Sequence, residues 1–154
     1  MGVAGVGKST VGVELAQQLR SDFVDADSFH SDANRAKMAA GIPLNDADRA
    51  PWLDEVGRAF GASPSLVVAC SALKRGYRDQ LRTWAPDLFT VHLTASTELL
   101  TERLATREGH FVGANLLPSQ LETLEPLGAD ENGIEISADT DLEAIVERIT
   151  SLVV

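Results

Sequence analysis

Apolar residues along the chain follow two periods, one typical of helices and one typical of buried strands. Leu142, Ile145, Val146 and Ile149 recur every three to four positions, which indicates an amphipathic helix. Residues 66–70 form a continuous apolar run, which predicts a strand covered on both faces. The predicted elements are, in order, helix 10–19, strand 22–25, helix 31–40, helix 45–61, strand 66–70, helix 75–84, strand 89–93, helix 96–107, helix 118–125, strand 133–137 and helix 141–153.

Strands that alternate with helices predict an α/β sandwich of three layers, with helices on both faces of a parallel sheet. The 154 residues contain no repeat or linker, so 1–154 is predicted to be a single domain. In such sheets, ligands bind at the carboxyl ends of the strands. The residues that directly follow each strand are therefore the first candidates for chemistry.

Gly2-Val3-Ala4-Gly5-Val6-Gly7-Lys8-Ser9 fits G-x-x-x-x-G-K-[ST], the phosphate-binding loop (P-loop) of nucleotide-binding proteins. Lys8 is expected to reach the β- and γ-phosphates of a nucleotide, and the Ser9 hydroxyl to ligate Mg²⁺. The helix that begins here directs its positive dipole end at the same phosphates. The loop residues predicted to bind the nucleotide are Gly2, Val3, Ala4, Gly5, Val6, Gly7, Lys8, Ser9 and Thr10.

Two carboxylates and an imidazole follow the predicted strand 22–25. Phosphoryl transfer to a hydroxyl needs a carboxylate that orients or deprotonates it, and Asp27 is our candidate. Strand 66–70 ends without the Asp that often supports Mg²⁺, so Asp27 is also predicted at the metal. His30 is predicted on the acceptor side. Capping of the next helix by Asp25 or Asp27 is the alternative interpretation.

Two pairs of cations at i and i+4 each share a helix face. Lys74 and Arg78 follow a strand and could clamp an anionic acceptor, although a solvated helix start is the alternative. Arg103 and Arg107 precede a segment without periodicity, and we predict that both contact the nucleotide, with Arg107 catalytic. A mobile lid over 107–118 is expected to close on the phosphates. The alternative is that Arg103 and Arg107 are ordinary helix-end residues, because cations stabilise a helix C-terminus.

The net charge of −10 excludes the basic footprint that nucleic-acid binders carry. No apolar run approaches the length of a membrane span, and no export signal is present, so we expect neither membrane nor nucleic-acid partners and a cytoplasmic location. The single cysteine, Cys70, excludes an internal disulfide.

Several blocks together resemble the gluconokinases of the P-loop type, relatives of shikimate kinase and the nucleoside monophosphate kinases. The resemblance covers almost the whole chain. Ala26 stands where that family usually has Gly. The matching blocks are the P-loop, residues 25–30, 37–53, 70–79, 107–111 and 116–126, of which Pro43-Leu44-Asn45-Asp46 and Cys70-Ser71-Ala72-Leu73-Lys74 are the most specific.

The resemblance implies ATP- and Mg²⁺-dependent phosphorylation of D-gluconate to 6-phospho-D-gluconate by a homodimer with the fold of nucleoside monophosphate kinases. Asp27, His30, Lys74, Arg78 and Gln120 are then the expected acceptor-side residues. Another small-molecule kinase of this fold, acting on shikimate or a nucleoside monophosphate, is the alternative.

A P-loop ordinarily follows a buried strand, but Met1 directly precedes Gly2. The resemblance places that strand in the middle of the sheet, between the strands that end near Ser71 and near Leu93. We expect the true start to lie several residues upstream. A truncated, catalytically dead nucleotide-binding module is the alternative that the absent strand raises.

Overall fold

The computed structural model describes residues 1–63, 65–106 and 111–154, except for the side chains of 111–115. Strands alternate with helices along these ranges. The helices are α1 Lys8–Leu19, α2 Asp32–Ala39, α3 Asp46–Ala62, α4 Arg75–Trp84, α5 Thr97–Thr106, α6 Phe111–Thr123 and α7 Leu142–Val153. The strands are β1 Asp22–Asp25, β2 Leu66–Ala69, β3 Thr90–Thr94 and β4 Gly133–Ser137, and a 3₁₀ turn, Ala26–Phe29, follows β1.

The strands form two parallel pairs. β1 pairs with β2 from Asp22 opposite Leu66 to Asp25 opposite Ala69. β3 pairs with β4 over the full length of both strands. The parallel sheet predicted from the alternation of elements is therefore confirmed.

Met1 and Gly2 lie between the two pairs and link them. The Gly2 N–H donates to the Ser71 carbonyl at 3.2 Å, and the Leu93 N–H donates to the Met1 carbonyl at 3.0 Å. The Met1 amino group also donates to the Val91 carbonyl. These two residues occupy the mid-sheet position that the resemblance implied for the strand before the P-loop.

A groove of about 670 Å³ separates β2 from β3 beyond Met1. Val67, Val68, Phe89 and Val91 are among the residues that line it. Within the described ranges, β2 and β3 make no ladder with each other. Among the described residues, Met1 and Gly2 bridge the two inner edges, from Val91 and Leu93 of β3 to Ser71 just past β2.

Two hydrophobic cores hold the helices to the strands. One core joins α1, α5, α6 and α7 to β3 and the P-loop, and includes the fully buried Val6 and Val146. The other packs α3 against α4 around Trp52, which is 2% exposed, and Leu53. Helices on both sides of the strands give the predicted three-layer α/β sandwich.

The start of α6 differs from the prediction. Residues 111–115 were predicted to be part of a loop and 118 to start a helix, but α6 begins at Phe111 and contains Pro118 in its interior. Two residues of this helix, Leu116 and Leu117, are buried against the rest of the chain. Such tertiary packing stabilises the helix and outweighs the local cost of a proline. The expected lid over 107–118 falls partly on 107–110, outside the described residues.

Candidate active site

A cavity of about 720 Å³ lies at the carboxyl ends of β1, β2 and β4, where the alternating pattern predicted the chemistry. Its lining combines the P-loop with the segments that follow these strands, and with parts of α3, α5 and α6. Of the predicted nucleotide-binding residues, 4–10 line the cavity, whereas Gly2 and Val3 are buried behind the loop.

The P-loop conformation depends on its glycines. Gly5 and Gly7 have φ values of 81° and 101°, in the left-handed region that disfavours side chains. Gly7 directly precedes α1, and no described side chain caps the N-terminus of that helix. Its first amides are therefore open to an anion in the cavity.

The peptide unit between Val3 and Ala4 is held at both ends. Lys8 donates from Nζ to the Val3 carbonyl at 2.9 Å. The Ala4 N–H donates to Oε1 of Gln120, on α6, at 2.6 Å. The Lys8 side chain thus folds back over its own P-loop, and Gln120 of α6 contacts the same loop directly.

Asp25 is the carboxylate next to the P-loop serine. Ser9 donates from Oγ to Asp25 Oδ2 at 2.6 Å, and Asp25 Oδ1 accepts the Asp27 N–H at 3.1 Å. Asp25 therefore caps the 3₁₀ turn, whereas Ser31 caps α2, so the alternative that Asp25 or Asp27 caps that helix is wrong. The sequence did not assign Asp25 to the metal. Its position as the last residue of β1 was the signal that could have identified it.

A hydroxyl and carboxylates of this kind fit a magnesium ion. Mg²⁺ prefers oxygen ligands and is commonly bound through one or two protein groups together with nucleotide phosphates. Ser9, Asp25 and Asp27 all line the cavity beside the P-loop. Among the described residues, no three His, Cys, Asp or Glu side chains converge on one metal position, so the phosphates would have to complete the site.

Asp27 and His30 lie together in the lining of the cavity. Asp27 is exposed, with 81% of its side-chain surface accessible, and its Oδ1 is 3.8 Å from His30 Nε2. His30 is buried and stacks on Trp52, with ring centroids 4.4 Å apart. Burial lowers the His30 pKa although Asp27 opposes the shift, so the imidazole is neutral at neutral pH.

The buried imidazole also carries an unused polar atom. His30 Nδ1 has no hydrogen-bond partner among the described residues. A buried polar atom without a partner is costly to the fold.

Arg49 is a cavity cation that the sequence did not single out. Its Nε donates to the Leu44 carbonyl at 3.3 Å, and its guanidinium carbon lies 5.6 Å from the centre of the Tyr77 ring. In the part of the chain that the structure describes, no carboxylate oxygen lies within 4 Å of its nitrogens. A half-buried cation of this kind is suited to an anionic ligand.

Lys74 does not line the cavity, contrary to its predicted role as an acceptor clamp. Its Nζ pairs with Asp46 at 2.8 Å, and this hydrogen bond raises the Lys74 pKa. Lys74 therefore ties the start of α4 to α3.

Arg78 is likewise outside this cavity lining, so the second half of the predicted clamp is wrong. It is 1% exposed, and its Nε and Nη2 each donate to Glu131 at 2.7 Å. Its guanidinium also donates to the carbonyls of Ala72, Leu73, Glu125 and Pro126. The helix face that Lys74 and Arg78 share packs on α3 and on residues 125–131, an orientation that spacing alone does not determine.

Arg103 joins the P-loop to the segment after β4. Its Nη1 donates to the Val6 carbonyl at 3.3 Å and its Nη2 to the Ala138 carbonyl at 3.0 Å. Arg103 lines the cavity, with Thr140 and Leu142 nearby in the lining. Arg107, its predicted catalytic partner, lies outside the described residues.

Known proteins are similar to this chain in both sequence and fold. A family model described as shikimate kinase matches residues 4–152. The chain is 46% identical over 153 residues to gluconokinase of Gluconobacter oxydans (strain 621H), covering 97% of this chain and 86% of that protein. It is 44% identical to the thermoresistant gluconokinase of Escherichia coli (strain K12), covering 95% of this chain and 86% of that one.

The chain belongs to the gluconokinase family. The crystal structure of a gluconokinase from Sinorhizobium meliloti 1021 superposes with a TM-score of 0.90 at 42% identity, covering 98% of this chain and 87% of that one. The resemblance and fold predicted from the sequence blocks are confirmed, and the chain is a phosphotransferase with a small-molecule acceptor.

None of the helices in the described ranges has the length and apolar character that crossing a bilayer requires.

Proposed function

We propose that this chain transfers the γ-phosphoryl group of ATP to D-gluconate and releases 6-phospho-D-gluconate. The observation that carries the proposal is the single cavity in which a P-loop faces Asp27, His30 and Arg49. The names of the relatives support gluconate as the acceptor.

The P-loop side would hold ATP. The open amides at the start of α1 and the Lys8 ammonium would bind the β- and γ-phosphates, and Arg103 would remain beside the loop through its Val6 contact. Mg²⁺, near Ser9, Asp25 and Asp27, would neutralise charge on the phosphates.

The opposite side would orient the sugar acid by its two ends. Arg49 would receive the carboxylate, because a guanidinium suits the planar carboxylate and no described carboxylate occupies it. Asp27 would accept a hydrogen bond from the terminal hydroxyl and take its proton during transfer. The neutral imidazole of His30, which lines the cavity, would contact the sugar acid between these ends.

The test is a coupled assay of ADP release with Mg-ATP and one acceptor at a time. D-gluconate, shikimate, AMP and a reaction without acceptor are compared on the same protein. Release that depends on gluconate is the expected result.

Release with shikimate or AMP but not gluconate would favour another small-molecule kinase. Mg-ATP binding without release for any acceptor would favour a catalytically dead module. Catalysis by Arg107, closure of a lid, a homodimer and a cytoplasmic location remain predictions.

A further inference from the structure

Gln120 was predicted to bind the acceptor, but its side-chain oxygen accepts a hydrogen bond from the P-loop. Its partner, the Ala4 N–H, can only donate, so the carboxamide oxygen must face the loop. The 2.6 Å separation between Ala4 N and Oε1 marks a close contact between residues 116 positions apart in the chain. Gln120 also lines the cavity, as does Ala4.

The other end of the same peptide unit holds the P-loop lysine. The Val3 carbonyl accepts from Lys8 Nζ at 2.9 Å. Because a peptide unit is planar, the direction of the Ala4 N–H fixes the opposite direction of the Val3 carbonyl. Gln120 therefore sets the orientation of the carbonyl that Lys8 contacts.

The backbone around Gln120 is fixed by packing and by a hydrogen bond. Leu117, three residues earlier, is 5% exposed and packs in the core that contains Val3 and Val6. Just past the helix, the Glu125 N–H donates to the Leu73 carbonyl at 2.8 Å. The side chain is thus presented to the loop from a segment fixed on both sides of it.

We infer that Gln120 is a positioning residue of the nucleotide half of the site, which acts on Lys8 through the Val3–Ala4 peptide unit. It keeps this unit turned so that the Lys8 ammonium lies over the loop before the phosphates arrive. The inference rests on the proposed function only in that Lys8 binds phosphate. It does not depend on which acceptor is used.

The first test measures binding of each substrate separately by calorimetry. Gln120→Met keeps the length of the side chain and removes the oxygen acceptor. Loss of one such hydrogen bond predicts Mg-ATP binding about tenfold weaker. D-gluconate binding is expected to change less than about twofold, because the substitution leaves the proposed contacts of gluconate in place.

Gln18→Met is the matched control, since Gln18 is exposed on α1, and both affinities are expected to stay unchanged. Weaker gluconate binding with unchanged Mg-ATP binding would overturn the inference and make Gln120 an acceptor ligand. Unchanged binding of both would also overturn it. Gln120→Asn, which withdraws the oxygen by one methylene and stays polar, provides the same readout if the Met variant does not fold.

A double-mutant cycle with Lys8→Met separates positioning from a structural role. The readout is the rise in melting temperature that millimolar Mg-ATP produces, which still reports weak binding. If Gln120 acts through Lys8, Gln120→Met lowers this rise in the native background and has no further effect in Lys8→Met.

Equal losses in both backgrounds would contradict the coupling. The readout requires no turnover, so a native protein that fails to phosphorylate gluconate rejects the proposed function and leaves this result interpretable.

Discussion

Ser9 and Asp25 share a hydrogen bond of 2.6 Å that joins the first turn of α1 to the last residue of β1. The contact fixes the serine hydroxyl next to a carboxylate and leaves Asp27, two residues further on, exposed in the cavity. Two carboxylates of one short segment thus occupy two different surroundings. We expect them to have separable roles.

Asp25→Asn should raise the Mg²⁺ concentration needed for half-maximal activity by about ten- to a hundredfold, because the charge beside Ser9 is lost. Asp27→Asn should instead lower kcat by about a hundredfold or more, with a much smaller effect on Mg-ATP affinity. Steady-state kinetics over a magnesium titration measures both. Asp32→Asn, on the surface, serves as control, and an intact kcat in Asp27→Asn would show that Asp27 is not the base.

Arg49→Met should raise the KM for D-gluconate by about ten- to a hundredfold, since it removes charge-assisted hydrogen bonds to the carboxylate. The KM for Mg-ATP should not change. Arg148→Met, at an exposed position of α7, is the matched control. A gluconate KM that matches the native value would place the carboxylate elsewhere.

Glu131→Gln should destabilise the fold by about 3–5 kcal/mol, because the buried Arg78 would lose its charge partner. Hydrogen bonds from Arg78 hold the pKa of Glu131 well below its usual range. The pair therefore stabilises the native state above about pH 4.3, the ordinary Glu pKa, and this stability is lost as the pH falls towards the native pKa.

Denaturant unfolding at pH 7 and at acid pH checks both parts of this prediction. The gap in free energy of unfolding between the native protein and Glu131→Gln should narrow on acidification. Glu147→Gln, at an exposed site on α7, should show no gap at either pH. A constant gap would mean that packing, not charge, accounts for the loss.

Arg20→Gly should stabilise the protein by about 1 kcal/mol. Arg20 ends α1 with φ 54° and ψ 41°, a left-handed conformation that costs a side-chain-bearing residue about this much. Thermal melting should then rise by about 2–4 °C for a chain of this size. Gln18→Gly, inside the same helix, should melt lower than the native protein, and the same sign for both variants would reject the explanation.

Local sequence predicted the parts of the site that a few adjacent residues determine. The P-loop is one covalent segment whose glycines and lysine act together, and α1 follows it directly, so pattern alone located both. The predicted acceptor side depends on how tertiary packing orients the helices. Lys74 and Arg78 share a face as predicted, but that face meets Asp46 and Glu131, and Arg49 of α3 enters the cavity instead.

Helix α6 shows the same limit. Its start at Phe111 depends on burial of Leu116 and Leu117 against distant parts of the chain, which no local period reveals. The contact between Gln120 and Ala4 also joins segments far apart in sequence. The most informative polar contacts of this site are therefore tertiary ones.

The groove between β2 and β3 has a consequence for behaviour at high concentration. The inner edge of β2 faces this apolar groove without a ladder partner among the described residues, and an edge of that kind is a template for strand pairing between molecules. An extended apolar peptide added in solution would compete for the same edge. Solubility and shelf life should therefore improve when such a segment occupies the groove, with no change to any charged surface residue.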